Sequence, residues 1–148
     1  MVERASDLPR AARALTLAAR ALERAAAACD LTLAQFRVLA LIAAGDERST
    51  LLAERLAVAK PTITAVVDGL VERGFVVREA IAGDRRSLRL GLTAAGNAVL
   101  QSAERSMSAM LDHLVGFAKD RAALIAALDA LDDALTARMQ ARLREVRA

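Results

Sequence analysis

Residues 61–93 read "PTITAVVDGLVERGFVVREAIAGDRRSLRLGLT". Within this stretch, apolar residues first recur with the period of a helix and then with the period of a strand. Up to Gly74 the apolar residues recur at intervals of three and four, the spacing of one face of an α-helix. Beyond it, "FVVREAI" predicts a strand, "AGDRRS" a turn and "LRLGL" a returning strand, because Leu88, Leu90 and Leu92 alternate with other residues. The stretch therefore predicts a helix followed by a β-hairpin.

The predicted helix has clear ends and two contrasting faces. Pro61 suits the first turn, where its missing N–H costs nothing, and Gly74 suits the residue just beyond the helix end. The apolar face consists of Ile63, Val66, Val67, Leu70 and Val71. The opposite face carries small or polar residues, namely Thr62, Thr64, Ala65, Asp68 and Gly69. Because these side chains are short, this face can approach another molecule closely.

Two shorter helices are predicted upstream. Thr32 and Gln35 match a capping box, and the helix that they begin runs to about Gly45 with Phe36, Leu39 and Ala43 on its apolar face. Ser49 or Thr50 can cap a third helix that ends at Leu56. Three short helices followed by a two-stranded ribbon form a winged helix-turn-helix. Its recognition helix can enter the major groove of DNA while the ribbon tip lies near the adjacent minor groove.

Long helices with apolar seams are predicted on both sides of this unit. The seams consist of Ala11, Leu15, Ala18, Leu22, Ala25 and Cys29 in the first helix; Val99, Ala103, Met107, Met110, Leu114 and Phe117 in the fifth, capped by Thr93; and Leu124, Leu128, Leu131, Leu135 and Met139 in the last. The predicted fold is mainly α with a small β-hairpin wing, a winged helix-turn-helix flanked by long dimerisation helices. We expect a single subunit over residues 1–148, with the lobe at 31–92 and the dimerisation helices at 8–29 and 93–147.

The composition restricts the function classes. The chain has 148 residues, a net charge of +3 and no apolar run near the roughly 18 residues that span a membrane. Its first 13 residues lack the apolar core of a signal peptide, so we expect a cytoplasmic protein with no membrane partner. One cysteine and one histidine leave no material for a disulfide, a cysteine-based metal cluster or a histidine-rich metal site. With no nucleophile–base pair or phosphate loop visible either, we predict a protein that is not an enzyme and needs no cofactor.

Three stretches resemble the MarR family of bacterial transcriptional regulators: "LTLAQFRVLALIA", "LAERLAVAKPTITAVVDGLVERGFVVRE" and "GDRRSLRLGLTAAG". The Asp-x-Arg pattern of Asp84 and Arg86, followed by "LT-x-x-G" at residues 92–96, is the most specific part. The resemblance implies a homodimer, held by its first and last helices, that binds a pseudo-palindromic double-stranded DNA operator. It also implies a repressor released by a small, often aromatic anion bound between the dimerisation helices and the DNA-binding lobe.

The resemblance also assigns roles to residues. Arg86 is similar to the minor-groove arginine and Asp84 to its orienting partner, and we place Arg85 beside them at the DNA. The leading edge of the recognition helix is matched by Lys60, Pro61, Thr62 and Thr64, and a phosphate-binding helix start by Ser49 and Thr50. Family members often have arginines where this chain has Ala65 and Gly69, so we expect the wing to carry more of the binding. Candidate effector-binding residues are Arg20, Phe36, Met107 and Met110.

Two alternative functions remain beside this one. A winged-helix protein–protein adaptor that does not bind DNA would explain the absent recognition-helix arginines. A redox-sensing regulator would use Cys29, but that residue lies on the predicted apolar seam, where a thiol is inert, and there is no second cysteine to resolve a sulfenate. We interpret His113 as a surface or partner-interface residue. The C-terminal arginines, which include Arg138 and Arg142, are interpreted first as complements of the helix dipole and only second as phosphate contacts.

Overall fold

The computed structural model describes residues 3–45, 48–81 and 84–147. Within these ranges, residues 3–7, 81, 84–87, 143 and 145–147 are described by their backbone only. These ranges form α1 (Glu3–Ala27), α2 (Leu33–Ala43), α3 (Ser49–Leu56), α4 (Lys60–Glu72), β1 (Val76–Ile81), β2 (Asp84–Leu92), α5 (Ala94–Val115) and α6 (Arg121–Arg147). The strands form a two-stranded antiparallel sheet. The mainly helical fold with a hairpin wing is therefore confirmed. Within the described ranges, no helix is long and apolar enough to cross a membrane.

The predicted helix ends rest on local hydrogen bonds. Before α2, the Gln35 N–H donates to Thr32 Oγ1 at 3.1 Å and the Thr32 N–H donates to Gln35 Oε1 at 3.0 Å, which completes the capping box. After α4, Gly74 has a φ of +72° and its N–H donates to the Val71 carbonyl. The Phe75 N–H donates to the Leu70 carbonyl, so both bonds of a Schellman motif are present.

The core lies between α1, α2, α3, α4, α5 and the base of the hairpin. The largest fully buried side chains are Leu39, Leu52, Leu70, Val38, Val67 and Val76. The predicted apolar face of α4 is confirmed, with Ile63, Val67 and Leu70 buried. The predicted face of α2 is partly wrong, because its buried residues are Val38, Leu39 and Ile42, whereas Ala43 is exposed. This helix packs against α1, α4, α5 and β2, so the buried arc is wider than one seam.

The start of α5 lies against the junction of α4 and β1. Thr93 Oγ1 accepts a hydrogen bond from the Gly96 N–H at 2.9 Å and donates one to the Gly74 carbonyl at 2.7 Å. The Thr93 N–H donates to the Phe75 carbonyl at 3.1 Å. A Cβ added at Gly96 would lie 2.0 Å from that same Phe75 oxygen. The "LT-x-x-G" pattern therefore specifies a close approach of two backbone segments.

Three predicted boundaries are corrected. Helix α1 begins at Glu3, not near Leu8, and Pro9 lies inside it, although a proline supplies no backbone N–H for the helical hydrogen bonds. Ser49 is the first helical residue of α3, not its cap, which is Arg48. Strand β2 begins at Asp84, so the residues predicted as the second half of the turn are part of the strand. The alternation of apolar residues could not reveal the start of β2, because a bulge interrupts the pairing of β1 with β2 at this point.

The terminal helices expose apolar side chains in the protomer. On α1, Leu15 and Leu17 are exposed, and on α6, Leu131 and Leu135 have 37% and 54% of their surface exposed. Leu114 and Phe117, which we predicted on the apolar side of α5, are also exposed: Val115 is the buried residue of the last turn, and Phe117 lies beyond the end of the helix. His113 is exposed and makes an edge-to-face contact with Phe117. The seam predicted for α6 is thus mostly exposed within one subunit, whereas on α1 only Ala11 and Leu15 of the predicted seam are exposed and Ala25 is buried.

Candidate nucleic-acid interface

The start of α4 is presented by a tight turn after α3. Ala57 has a left-handed φ of +54°, and the Val58 N–H donates to the Ala53 carbonyl at 3.1 Å. This turn ends α3 at Leu56, and α4 begins four residues later at Lys60. All four predicted contact residues at its start are exposed: Lys60, Pro61, Thr62 and Thr64.

The outward face of α4 carries short side chains. Thr64 Oγ1 donates to the Lys60 carbonyl at 3.0 Å, so its hydroxyl oxygen keeps lone pairs that can accept from a ligand. Ala65 is exposed, and a Cβ placed on Gly69 would meet no atom within 4 Å. The backbone of α4 therefore lies close to the molecular surface, as a helix that enters a groove requires.

The first turn of α3 contains the other two predicted contact residues on this side of the hairpin. Ser49 is half-buried and Thr50 is exposed in the first turn. In the described residues no side chain caps this helix, because Arg48 at the cap position makes no such hydrogen bond. The first-turn N–H groups can therefore donate to an anion such as a DNA phosphate.

The hairpin is connected to the recognition helix by an ion pair. Arg78 on β1 pairs with Asp68 on α4. On the hairpin itself, Arg89 Nη2 lies 2.9 Å from Glu79 Oε2 across the two strands. The Arg78–Asp68 contact therefore joins the hairpin to α4, and the Arg89–Glu79 contact joins its two strands.

The wing tip contains a strong irregularity in the ladder. Ala80 pairs with Leu88, but the next residue, Ile81, pairs with Asp84, so residues 85–87 are extra residues on β2. Arg85 and Arg86 thus belong to a bulge, a feature that redirects side chains at the edges of sheets. The side chains of Asp84, Arg85 and Arg86 lie outside the described residues, and the contact between Asp84 and Arg86 stays a prediction.

A cavity of about 500 Å³ separates the DNA-binding lobe from α6. Its walls are mostly apolar and include four arginines; the lining residues are Phe36, Arg37, Ala40, Leu41, Arg55, Leu56, Ala57, Leu135, Thr136, Arg138, Met139 and Arg142. Because its walls come from α2, α3 and α6, residues a hundred positions apart meet there. A site of this kind suits an amphipathic anion.

The residues predicted to bind an effector are not brought together. Phe36 lines the cavity. Met107 is buried in the core and Met110 packs against it, while Arg20 is exposed on α1 and pairs with Glu23 at 3.2 Å. Arg37, Leu56 and Met139 were not predicted at an effector site, and Arg138 and Arg142 were interpreted first as dipole complements and second as phosphate contacts. Nothing in the linear order connects α6 to α2.

Cys29 differs in position from the prediction. It lies in the turn after α1, is half-buried, and its Sγ is 3.7 Å from Ser102 Oγ on α5. The thiol therefore packs at the edge of the core between α1 and α5.

Comparison with known proteins identifies this arrangement. A model of the MarR family matches residues 30–87, which contain α2, α3, α4 and the hairpin up to the bulge. The HTH-type transcriptional repressor YetL of Bacillus subtilis is 41% identical over 70 residues, 45% of this chain and 42% of that protein. The chain spans about half the length, or less, of the curated relatives that it matches.

Solved structures match over most of the chain. The repressor CouR of Rhodococcus jostii RHA1, bound to a 23-mer DNA duplex, is 31% identical, with 84% of this chain and 88% of that chain covered and a TM-score of 0.73. A MarR family regulator from Silicibacter pomeroyi is 30% identical, with 80% and 82% covered and a TM-score of 0.60. Since these similarities cover both the winged helix and the long helices, the chain belongs to the MarR family.

Proposed function

We propose that this protein is a sequence-specific double-stranded DNA-binding repressor of transcription that acts in the cytoplasm. One observation carries the proposal: the exposed start of α4, with its short side chains, lies beside a hairpin joined to it through Arg78 and Asp68. In this arrangement a helix and a ribbon can engage adjacent grooves of one duplex. The DNA complex of CouR, a related repressor, supports the proposal.

We further propose that the protein acts as a homodimer. The exposed leucines of α1 and α6, among them Leu15, Leu131 and Leu135, support this, because burying apolar surface contributes roughly 25 cal/mol per Å². Two-fold symmetry would place two recognition helices on one side of the dimer, and the matching operator would be pseudo-palindromic.

The cavity between α2, α3 and α6 is the proposed effector site, and an aromatic or otherwise apolar anion is the proposed effector. Apolar walls suit the body of such a ligand, and arginines suit its charged group. CouR has been solved with p-coumaroyl-CoA, a ligand with an aromatic acyl group and phosphates, which supports this ligand class. Because Leu56 and Ala57 lead into α4, a ligand there can displace the recognition helix.

A salt titration with duplex DNA tests the central proposal and separates it from the adaptor alternative. A protein that neutralises phosphates loses affinity linearly in log–log coordinates as salt rises. We expect such a slope, together with tighter binding to a duplex selected from fragments of the source genome than to random DNA. A protein–protein adaptor would show neither the salt slope nor the preference for a selected duplex. The alternative is tested because this chain has Ala65 and Gly69 where family members often have arginines.

Cavity chemistry is testable with a naphthalene sulfonate fluorophore. Arg142→Glu should weaken its binding about tenfold, because a charge-assisted contact is replaced by repulsion. Arg144→Glu is the matched control: it makes the same charge change on an exposed residue of α6 outside the cavity lining. Equal losses in both variants, measured by fluorescence titration, would contradict an anion site in the cavity.

The wing is tested by Arg86→Ala. Loss of one arginine contact should cost about 1–3 kcal/mol of operator affinity and reduce the salt slope by about one unit. Arg89→Ala should cost less, because Arg89 is engaged with Glu79 on the returning strand. Asp84→Ala should also cost less, and the double variant of Asp84 and Arg86 should be no worse than Arg86→Ala. Wild-type affinity for Arg86→Ala, measured by fluorescence anisotropy, would show that the tip does not bind DNA.

A further inference from the structure

Arg73 connects two parts of the molecule that are distant in sequence. It follows the last residue of α4, and its Nη1 donates to the backbone carbonyl of Asp30 at 2.7 Å. The same nitrogen lies 3.4 Å from Gln35 Oε1. The guanidinium carbon lies 4.6 Å from the centre of the Phe75 ring, within the range of a cation–π contact.

The partners of Arg73 all lie at junctions. Asp30, with a φ of +56°, belongs to the turn that joins α1 to α2. Gln35 Oε1 also accepts from the Thr32 N–H in the capping box of α2. Phe75 immediately precedes the hairpin, and its carbonyl is the one approached by Gly96. One guanidinium therefore links the end of α1, the start of α2 and the base of the wing.

This combination of contacts is specific to arginine. A guanidinium is planar and carries five donors, so one face can stack on a ring while its edge donates to a carbonyl and an amide oxygen. A lysine ammonium keeps the charge but lacks both the fork and the flat surface. The Arg73 side chain is exposed, so a lysine at this position could carry the same positive charge in water without making these contacts.

We propose that Arg73 is a positioning residue that sets the angle of the recognition helix relative to α1, and thereby the separation of the two recognition helices in a dimer. The inference rests on the proposed function. Arg73 lies at the far end of α4 from Lys60, about 20 Å away at 1.5 Å per residue, and acts without touching DNA. If its contacts are removed, α4 can tilt, and the distance between half-sites that the dimer accepts becomes broader.

Operator spacing provides the test. From a duplex selected by the wild type, variants are made with one base pair added or removed between the half-sites, which shifts them by about 3.4 Å and rotates them by roughly 35°. We expect the wild type to discriminate against both by about tenfold or more. Arg73→Ala should reduce this preference to about threefold or less, with an unchanged salt slope. Arg73→Lys should behave like Arg73→Ala, and Arg105→Ala, which removes an exposed charge on α5, should match the wild type.

Two results would overturn the inference. One is a spacing preference in Arg73→Ala equal to that of the wild type. The other is a salt slope of Arg73→Ala that is lower by about one unit, together with wild-type DNA binding by Arg73→Lys. That result would mean that Arg73 binds a phosphate. Phe75→Leu removes the ring but keeps an apolar side chain, and should broaden the spacing preference in the same direction. If the wild type binds no duplex at all, the proposed function itself fails, which is a different result from binding without a change in spacing preference.

Discussion

Gly96→Ala is expected to reduce the stability of the protein by about 3 kcal/mol or more, which corresponds to a fall of roughly 10 °C in Tm. The added Cβ would lie 2.0 Å from the Phe75 oxygen and 2.9 Å from its carbonyl carbon. Both are backbone atoms, so no side-chain rotation can relieve the clash. The start of α5 would have to move away from the α4–β1 junction, and the Thr93 hydrogen bonds to that junction would be lost.

Gly91→Ala is the matched control for this prediction. Its Cβ would lie 3.6 Å from Val77 Cγ2, an ordinary van der Waals distance, and neither glycine has a positive φ. We therefore expect a change within about 1 kcal/mol, since alanine replaces glycine in a strand without a clash. Thermal and urea denaturation of both variants gives the comparison. Similar stability of the two variants would contradict the close approach at Gly96.

Leu131→Glu is expected to convert the dimer into monomers. Leu131 lies in the uncovered seam of α6 with Leu135 and Leu128, and in a dimer the substitution buries an unpaired carboxylate twice by symmetry. The association free energy should fall on the order of 3–5 kcal/mol, more than a hundredfold in Kd. Sedimentation equilibrium or light scattering at micromolar concentration measures the change. Leu128→Glu should act in the same direction.

Ala126→Glu is the control on the same helix. Ala126 is exposed and faces the side of α6 opposite the seam, where Asp129 and Asp133 also lie. The variant should remain a dimer, because its carboxylate stays in water. A monomeric wild type at micromolar concentration, or equal dissociation of both variants, would refute dimerisation through this seam.

Local interactions account for what could be predicted from the sequence. The ends of α2 and α4 depend on the capping box at Thr32 and on the left-handed Gly74, and each of these is complete within a few residues. The apolar stripe of α4 was equally predictable, because a helix turns through a constant angle per residue. The bulge at Arg85 and Arg86 was not, since it depends on how β1 and β2 pair. The predicted DNA-binding residues lie on α3, α4 and the hairpin, and they could be proposed because the helix-turn-helix is contiguous in sequence.

The sequence by itself thus determined the helices and the hairpin, which are built from neighbouring residues, and it predicted the recognition surface from the same contiguous segment. The tertiary structure decided which distant residues meet. It brought α6 to α2 and α3 around a cavity with four arginines, and it joined Arg73 to the turn at Asp30, which lies 43 residues away. It also showed why position 96 is a glycine. Periodicity reports which face of an element is apolar, whereas the partner of that face depends on the path of the whole chain in space.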